Sequence, residues 1–346
     1  MKFLILFLIL CQYSHYTKGQ SDFTKTYYPQ INQAELAIVT GNYKEALAHY
    51  DSAFTSVNNQ GFGKDYFNAT ICCDIIGESD LGFEYLEKMI GKGVERIFFT
   101  GNVHHFENFH KEIRWDDIMT EYEIRQHETF GQTKSNYIMG ELGEILFKDN
   151  ESREARSRGE KIDVLKQDEE NIARFLKIVE TYGFPREEEI GMRNATDISN
   201  DFYSFLIIHH LRNWASDREK VDLRPKIKDW IRSGRLYPDT GLDFLNLGNG
   251  LLTKGNSTTY GQIYLLTFSG NKSYYSINYT QEEKEKINFE RSILGLSTIE
   301  EYQIKQIFQA ENGLRENRFR LVPVFYDSYP IEFKEEMTLK KLVDKN

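Results

Sequence analysis

The chain predicts a mostly α fold: helical hairpins first, then a second helical domain that carries one small β-hairpin. Three observations lead there. Between Tyr27 and Gly93, apolar residues recur at helical spacing on either side of glycine turns. Proline is scarce, 6 in 346 residues, which suits unbroken helices and argues against a long disordered linker. Near 262–280 the apolar period shortens from about 3.6 residues to about 2 around Gly270-Asn271. At roughly 100–200 residues per domain, the length suits two domains.

The first segment predicts export. Lys2 supplies a positive start and Phe3–Leu10 is an unbroken apolar run. Thr17 and Gly19 then put small side chains where a signal peptidase needs them for a cut before Gln20. Residues 1–19 therefore read as a signal peptide, with the mature chain periplasmic, on the outer surface or extracellular. An apolar run this short does not span a bilayer core of about 30 Å as a helix. Cys11 raises the alternative of a lipid anchor, but Leu8-Ile9-Leu10 places Leu where such a site takes Gly, Ala or Ser. In the mature chain only Cys72 and Cys73 remain, adjacent and unsuited to a disulfide framework, so they read as small core residues.

Composition excludes more than it identifies. A formal charge of −10 argues against general nucleic-acid binding, which needs a basic face. Mixed-sign runs such as Lys161–Asn171 read as solvated helix surface. Asn68, Asn194 and Asn278 begin Asn-x-Ser/Thr triplets, which matter only in a eukaryotic secretory host.

Residues 20–125 read as a unit of helical hairpins. Ala34, Ala37 and Ile38 precede the Gly41-Asn42 turn, and Ala46, Tyr50, Ala53 and Phe54 follow it. A second hairpin has Tyr66, Ala69, Cys72 and Cys73 before Gly77, then Gly82, Tyr85, Leu86 and Met89. Gly41, Tyr43, Ala46, Tyr50 and Ala53 resemble the second half of a tetratricopeptide repeat, and Gly41 and Gly77 fit its period of roughly 34 residues. Gly82 departs from the pattern, standing where alanine is usual. The resemblance covers about 27–93. It implies a concave face that binds a protein or peptide partner; alternatively, so short a stack only supports its neighbour. Phe106, Phe109, Ile113 and Trp115 predict a terminal helix covering the stack. His104, His105 and His110 lack the i, i+3 or i+4 spacing of helical metal ligands and read as surface histidines.

Residues 126–305 read as the second domain. Helices are expected through Ile138–Arg153 toward Gly159, through Ile172–Val179 up to Gly183-Phe184-Pro185, from Asp201 to Trp214, and from Pro225 through Ile231. The hairpin pairs Gln262–Ser269 with Ser273–Thr280. Several short motifs recur in order: Asp149 with Arg153, Gly183-Phe184-Pro185, His209-His210, Tyr260-Gly261-Gln262, Arg291 with Gly295-Leu296, and Glu301-Tyr302. Together they resemble a bacterial family of domains of unknown function, over about 138–302. His209 stands where that family has Gln, and a Thr is missing after Gly261. The resemblance implies a shared fold and hands over no reaction. In the remainder, 306–346, Arg318–Asp327 reads as a strand and Phe333–Lys345 as a charged final helix.

Candidate chemistry centres on His210, whose imidazole titrates near neutral pH and can act as acid or base. Its helix is apolar on nearly every side, which equally suits a buried structural histidine, and His209 still more so. Asp149 and Arg153 stand at i and i+4, an ordinary helical ion pair unless Arg153 meets an anionic ligand. Tyr260 and Gln262 flank Gly261 at the start of the hairpin, where they line either a pocket or a turn; Arg291 reads as a loop anchor. No phosphate loop, His-Glu-x-x-His, Gly-x-Ser-x-Gly or paired-cysteine metal motif is present, so no cofactor or metal is expected. Two functions follow: an exported interaction or scaffold module built on the hairpins, or an enzyme of unnamed substrate with a pocket joining His210 to Asp149, Arg153, Tyr260, Gln262 and Arg291.

Overall fold

A computed structural model of the chain describes residues 22–101, 103–192, 203–216, 220–253, 259–261, 265–268, 273–312, 318–322, 326–329 and 339–344. The expected signal peptide with Cys11, Asn194, Gln262 and the Gly270-Asn271 turn all lie outside these residues. The described chain is mostly α. Its first hairpin is α1 (Tyr27–Val39) and α2 (Tyr43–Ser56), and its second is α3 (Gly63–Ile76) and α4 (Ser79–Gly91). Fully buried Ala34, Ala46 and Ala53 let the helices approach, while buried Phe54 stacks on Tyr66 of the next hairpin with centroids 4.0 Å apart. Gly82 has a packing reason as well. A Cβ there would stand 2.2 Å from the Phe109 ring, so even alanine is too large.

The cover expected over Phe106–Trp115 is not one helix. Two 3₁₀ turns, Val103–His105 and Phe109–Lys111, lead into the helices Ile113–Thr120 and Tyr122–Thr133. Phe106, Phe109 and Trp115 are buried as expected, but Ile113 is 80% exposed.

In the second half, α5 (Asn136–Ser157) and α6 (Val164–Tyr182) pack side by side, each N-capped by a side chain, Ser135 and Asp163 respectively. Then come α7 (Ser204–Ser216), α8 (Arg224–Arg232) and α9 (Pro238–Thr253). The hairpin strands β1 (Leu265–Phe268) and β2 (Ser273–Ile277) precede α10 (Gln281–Ile293) and α11 (Ile299–Glu311). Both last helices start with reciprocal capping boxes, Thr280 with Glu283 and Thr298 with Glu301.

The tail contributes strands where a helix was expected. β3 (Tyr326–Tyr329) pairs in parallel with β1, and β4 (Leu339–Asp344) pairs antiparallel with β2, in the order β3-β1-β2-β4. Of the alternation read over Arg318–Asp327, Tyr326 and Asp327 lie in regular strand, whereas Arg318–Val322 runs without regular structure. One apolar cluster extends from Phe23 to Val322 through both halves of the chain. Among the described residues, no helix is long and apolar enough to cross a membrane.

Candidate functional site

Helix α3 carries the densest buried polar chemistry. Every residue from Gly63 to Asp74 is buried, so its polar side chains must find partners within the protein. They find them largely in Arg318–Val322. The Asn68 carboxamide accepts from the Arg320 main-chain N–H at 2.9 Å and donates to the Arg320 carbonyl at 2.9 Å. This reproduces with one side chain the pair of bonds that a neighbouring strand would make. Lys64 Nζ donates to the Leu321 carbonyl at 3.1 Å, and the Leu321 N–H donates to Gln309 Oε1 on α11 at 2.8 Å. At the other end, the Arg318 guanidinium pairs with Asp74 and donates to the His105 carbonyl. Phe319 stacks on Tyr43, with centroids 5.6 Å apart and planes 16° apart. Contacts thus run from Asp74 to Lys64 as the segment runs from 318 to 321, so it lies antiparallel to α3. Asn68 is fully buried, which rules out a glycan on the folded chain.

Beside this groove lies a chamber of charge. Glu35 on α1 accepts from Lys64 and from Lys305 of α11, each at 2.6 Å, and all three are buried. Burial alone would raise the Glu35 pKa, but the two ammonium groups outweigh it and hold the carboxylate below its ordinary value. Asp65 accepts from the Tyr27 hydroxyl at 2.7 Å, yet burial dominates and pushes its pKa up to about 6. Asp239, at the start of α9, is also raised by burial. A cavity of about 50 Å³, lined among others by Asn32, Glu35, Asp65, Asp239, Arg291 and Lys305, sits between these groups. Asn32 Oδ1 and Asp65 Oδ1 have no hydrogen-bond partner among the described residues, and the volume suits a water molecule or two, at roughly 30 Å³ each in the liquid.

The residues expected to share a pocket with His210 fall in three places. Asp149 and Arg153 are joined as expected, with Arg153 Nε 3.0 Å from Asp149 Oδ2. Asp168 of α6 and His209 of α7 complete that cluster: Arg153 Nη2 lies 2.7 Å from Asp168 Oδ1 and 2.5 Å from His209 Nδ1. A guanidinium only donates, so His209 Nδ1 is the acceptor at this contact. Asn213 holds the other Asp168 oxygen at 3.1 Å. Burial would raise the Asp149 pKa, but the Arg153 guanidinium, which donates to both carboxylate oxygens, helps to outweigh it and keep it low. Asp149, Asp168 and His209 present three metal-ligand atoms within 4.8 Å of one another. Arg153 Nη2 is within hydrogen-bond reach of all three, so a cation enters only if Arg153 leaves.

His210 is turned away from that cluster. Adjacent residues on a helix point about 100° apart, and His210 Nε2 meets the Val221 carbonyl at 2.7 Å instead. Burial holds its pKa below the ordinary value. Tyr260 and Arg291 form the third place. The buried Arg291 donates to the carbonyls of Ser297 at 2.5 Å and Tyr260 at 2.9 Å, with its guanidinium 4.9 Å from the centre of the Tyr302 ring. It anchors loops, as its sequence context suggests. The His104–His110 region also needs a correction. His105 is only 2% exposed, packed edge-on against Phe67, and burial drives its pKa down to about 3.

Sequence reasoning passed over Glu35, Lys64, Asp65, Asp74 and Lys305, and took Asn68 only as the start of an Asn-x-Thr triplet. A signal was available: polar residues set inside runs that are otherwise apolar on every side demand buried partners. Comparison of the chain with protein-family models, curated proteins and solved structures gives no match.

Proposed function

We propose that this chain is an exported interaction or scaffold module, built on tetratricopeptide-like hairpins, whose α1–α3 face holds extended peptide main chain. The observation that carries the reading is the pair of hydrogen bonds between the Asn68 carboxamide and the main chain of Arg320. It is a recognition device for an extended segment, supplied by a helix side chain rather than by a sheet edge. Lys64, donating to the Leu321 carbonyl, and Gln309, accepting from the Leu321 N–H, extend it by one residue. Within the chain the face is filled by its own segment.

The test uses the full-length chain carrying Arg318→Ala and Arg320→Pro, which removes the Asp74 pair and the N–H that Asn68 accepts. Losing the partner of a buried acceptor weakens that seat by about 1–3 kcal/mol. A labelled peptide spanning residues 316–324 is then titrated into the folded variant and followed by fluorescence anisotropy. Saturable binding to the variant, and much weaker binding to the wild-type chain, is expected. A folded variant that binds no peptide overturns the reading.

A further inference from the structure

Whatever occupies the α3 groove meets polar groups that the chain's own segment shields from water. Asn68 and Asp74 are fully buried and Lys64 is 2% exposed. Without the segment, Asn68 loses both main-chain partners to water, while Lys64 keeps Glu35 and Asp74 keeps the N–H groups of Asn108 and Phe109. Exchange therefore favours an occupant that restores the same bonds. The chain's own segment shows what those bonds ask for, position by position.

At the first position, Arg318 reaches Asp74 and also donates from Nε and Nη2 to the His105 carbonyl. The forked, planar guanidinium can serve both acceptors; a lysine, with a single point of charge, cannot match that geometry. At the second, Phe319 is 4% exposed and lies flat on Tyr43, a slot for an aromatic ring. At the third, recognition rests on the main chain through Asn68, which admits any residue with an N–H. At the fourth and fifth, Leu321 and Val322 are 1% and 3% exposed, so both slots take aliphatic side chains.

We propose that the partner of this face is an extended protein segment of the form Arg–aromatic–any residue but proline–Leu–Val, and that residues 318–322 hold its place within the chain. The proposal rests on the reading of the α1–α3 face as a peptide-binding face and adds the chemistry of the ligand. The intramolecular segment competes at an effective concentration on the order of millimolar, so only a partner tethered nearby or present at high local concentration displaces it.

A panel of 316–324 peptides separates the two claims on the full-length Arg318→Ala, Arg320→Pro chain. The native-sequence peptide should bind, while peptides with Arg318→Ala or Phe319→Ala should bind roughly 10- to 100-fold more weakly, the size of a lost charge-assisted bond or a lost buried ring. Arg318→Lys should also weaken binding, and an Arg320→Ala peptide should bind as the native one does. If all peptides bind alike, the sequence preference is wrong and the main-chain reading survives. If none binds the folded variant, both fall. Should the variant not fold, amide hydrogen exchange on the wild-type chain decides. Millimolar native peptide must speed exchange of the Arg320 amide more than the Phe319→Ala peptide does, and equal or unchanged rates overturn the proposal.

Discussion

His105 ends a 3₁₀ turn and His209 lies within α7, and each shows how far a single residue can be read from its neighbours in sequence. The Asp149–Arg153 pair was legible because i and i+4 share a helix face. The arrival of Asp168 and His209 was not, since it depends on how α5, α6 and α7 cross. His105 misleads in the other direction: a polar pair of histidines reads as surface, yet one of them is sealed against Phe67. Its burial has a measurable sign. Unfolded His105 takes up a proton near pH 6.5, whereas the folded residue resists it down to about pH 3. The unfolded state therefore binds more protons across that window, and stability falls as pH is lowered through it, by at most about 1.4 kcal/mol per pH unit for one proton. His210 adds the same sign. Asp65, held protonated up to about pH 6, adds the opposite slope between its unfolded value and that pH. The contrast between wild type and His105→Phe isolates the histidine: urea unfolding at pH 7 should change little, and the difference should move in favour of the variant as pH falls to 4. Parallel pH curves for the two proteins would contradict the burial.

Among the elements, periodicity fixed most of the helices, and its failures share a cause. α9 holds Gly241, Asn246, Gly248, Asn249 and Gly250, poor helix formers, and no helix was expected there. It is helical because Leu242, Phe244 and Leu245 are buried, a contribution of tertiary packing that local propensity does not contain. β4 has the charge of a solvated helix and becomes a strand because β2 offers an unpaired edge. Turns carry a sharper expectation. Gly77 closes α3 with φ of +83° and has open space around it, whereas Gly295 has φ of +67° and a Cβ there would lie 1.9 Å from the Thr24 carbonyl oxygen. Gly77→Ala should cost roughly 1–2 kcal/mol, the price of a left-handed alanine. Gly295→Ala should cost at least twice that or prevent folding, because main chain cannot yield as a side-chain tip can. Equal unfolding midpoints for the two variants would show the Thr24 contact to be dispensable.

At the scale of the molecule, the two halves are joined through bonds that no local pattern announces. The Tyr28 hydroxyl donates to the Ile231 carbonyl at 2.6 Å, the Phe23 N–H to the Arg232 carbonyl at 2.9 Å, and Glu35 bridges Lys64 to Lys305. Two domains were expected from length; a core continuous from Phe23 to Val322 predicts that both halves unfold in one transition. Glu35→Gln leaves two buried ammonium groups short of a counter-charge and should cost about 3–5 kcal/mol. Calorimetry should show one peak, shifted as a whole in the variant; two peaks, only one of them moved, would mean the halves are thermodynamically separate.

The distance along the chain between Asn68 and Arg320, 252 residues, also sets an order of events during biosynthesis. At roughly 5–20 residues per second, the ribosome needs tens of seconds after finishing α3 before it has made the segment that covers it. Throughout that interval the nascent hairpins carry an unfilled groove, and β1 and β2 wait for both of their outer neighbours. A message cut between codons 312 and 318 yields a polypeptide with its helices made and its closing pieces missing, so closure of the groove and completion of the sheet are the last events of synthesis.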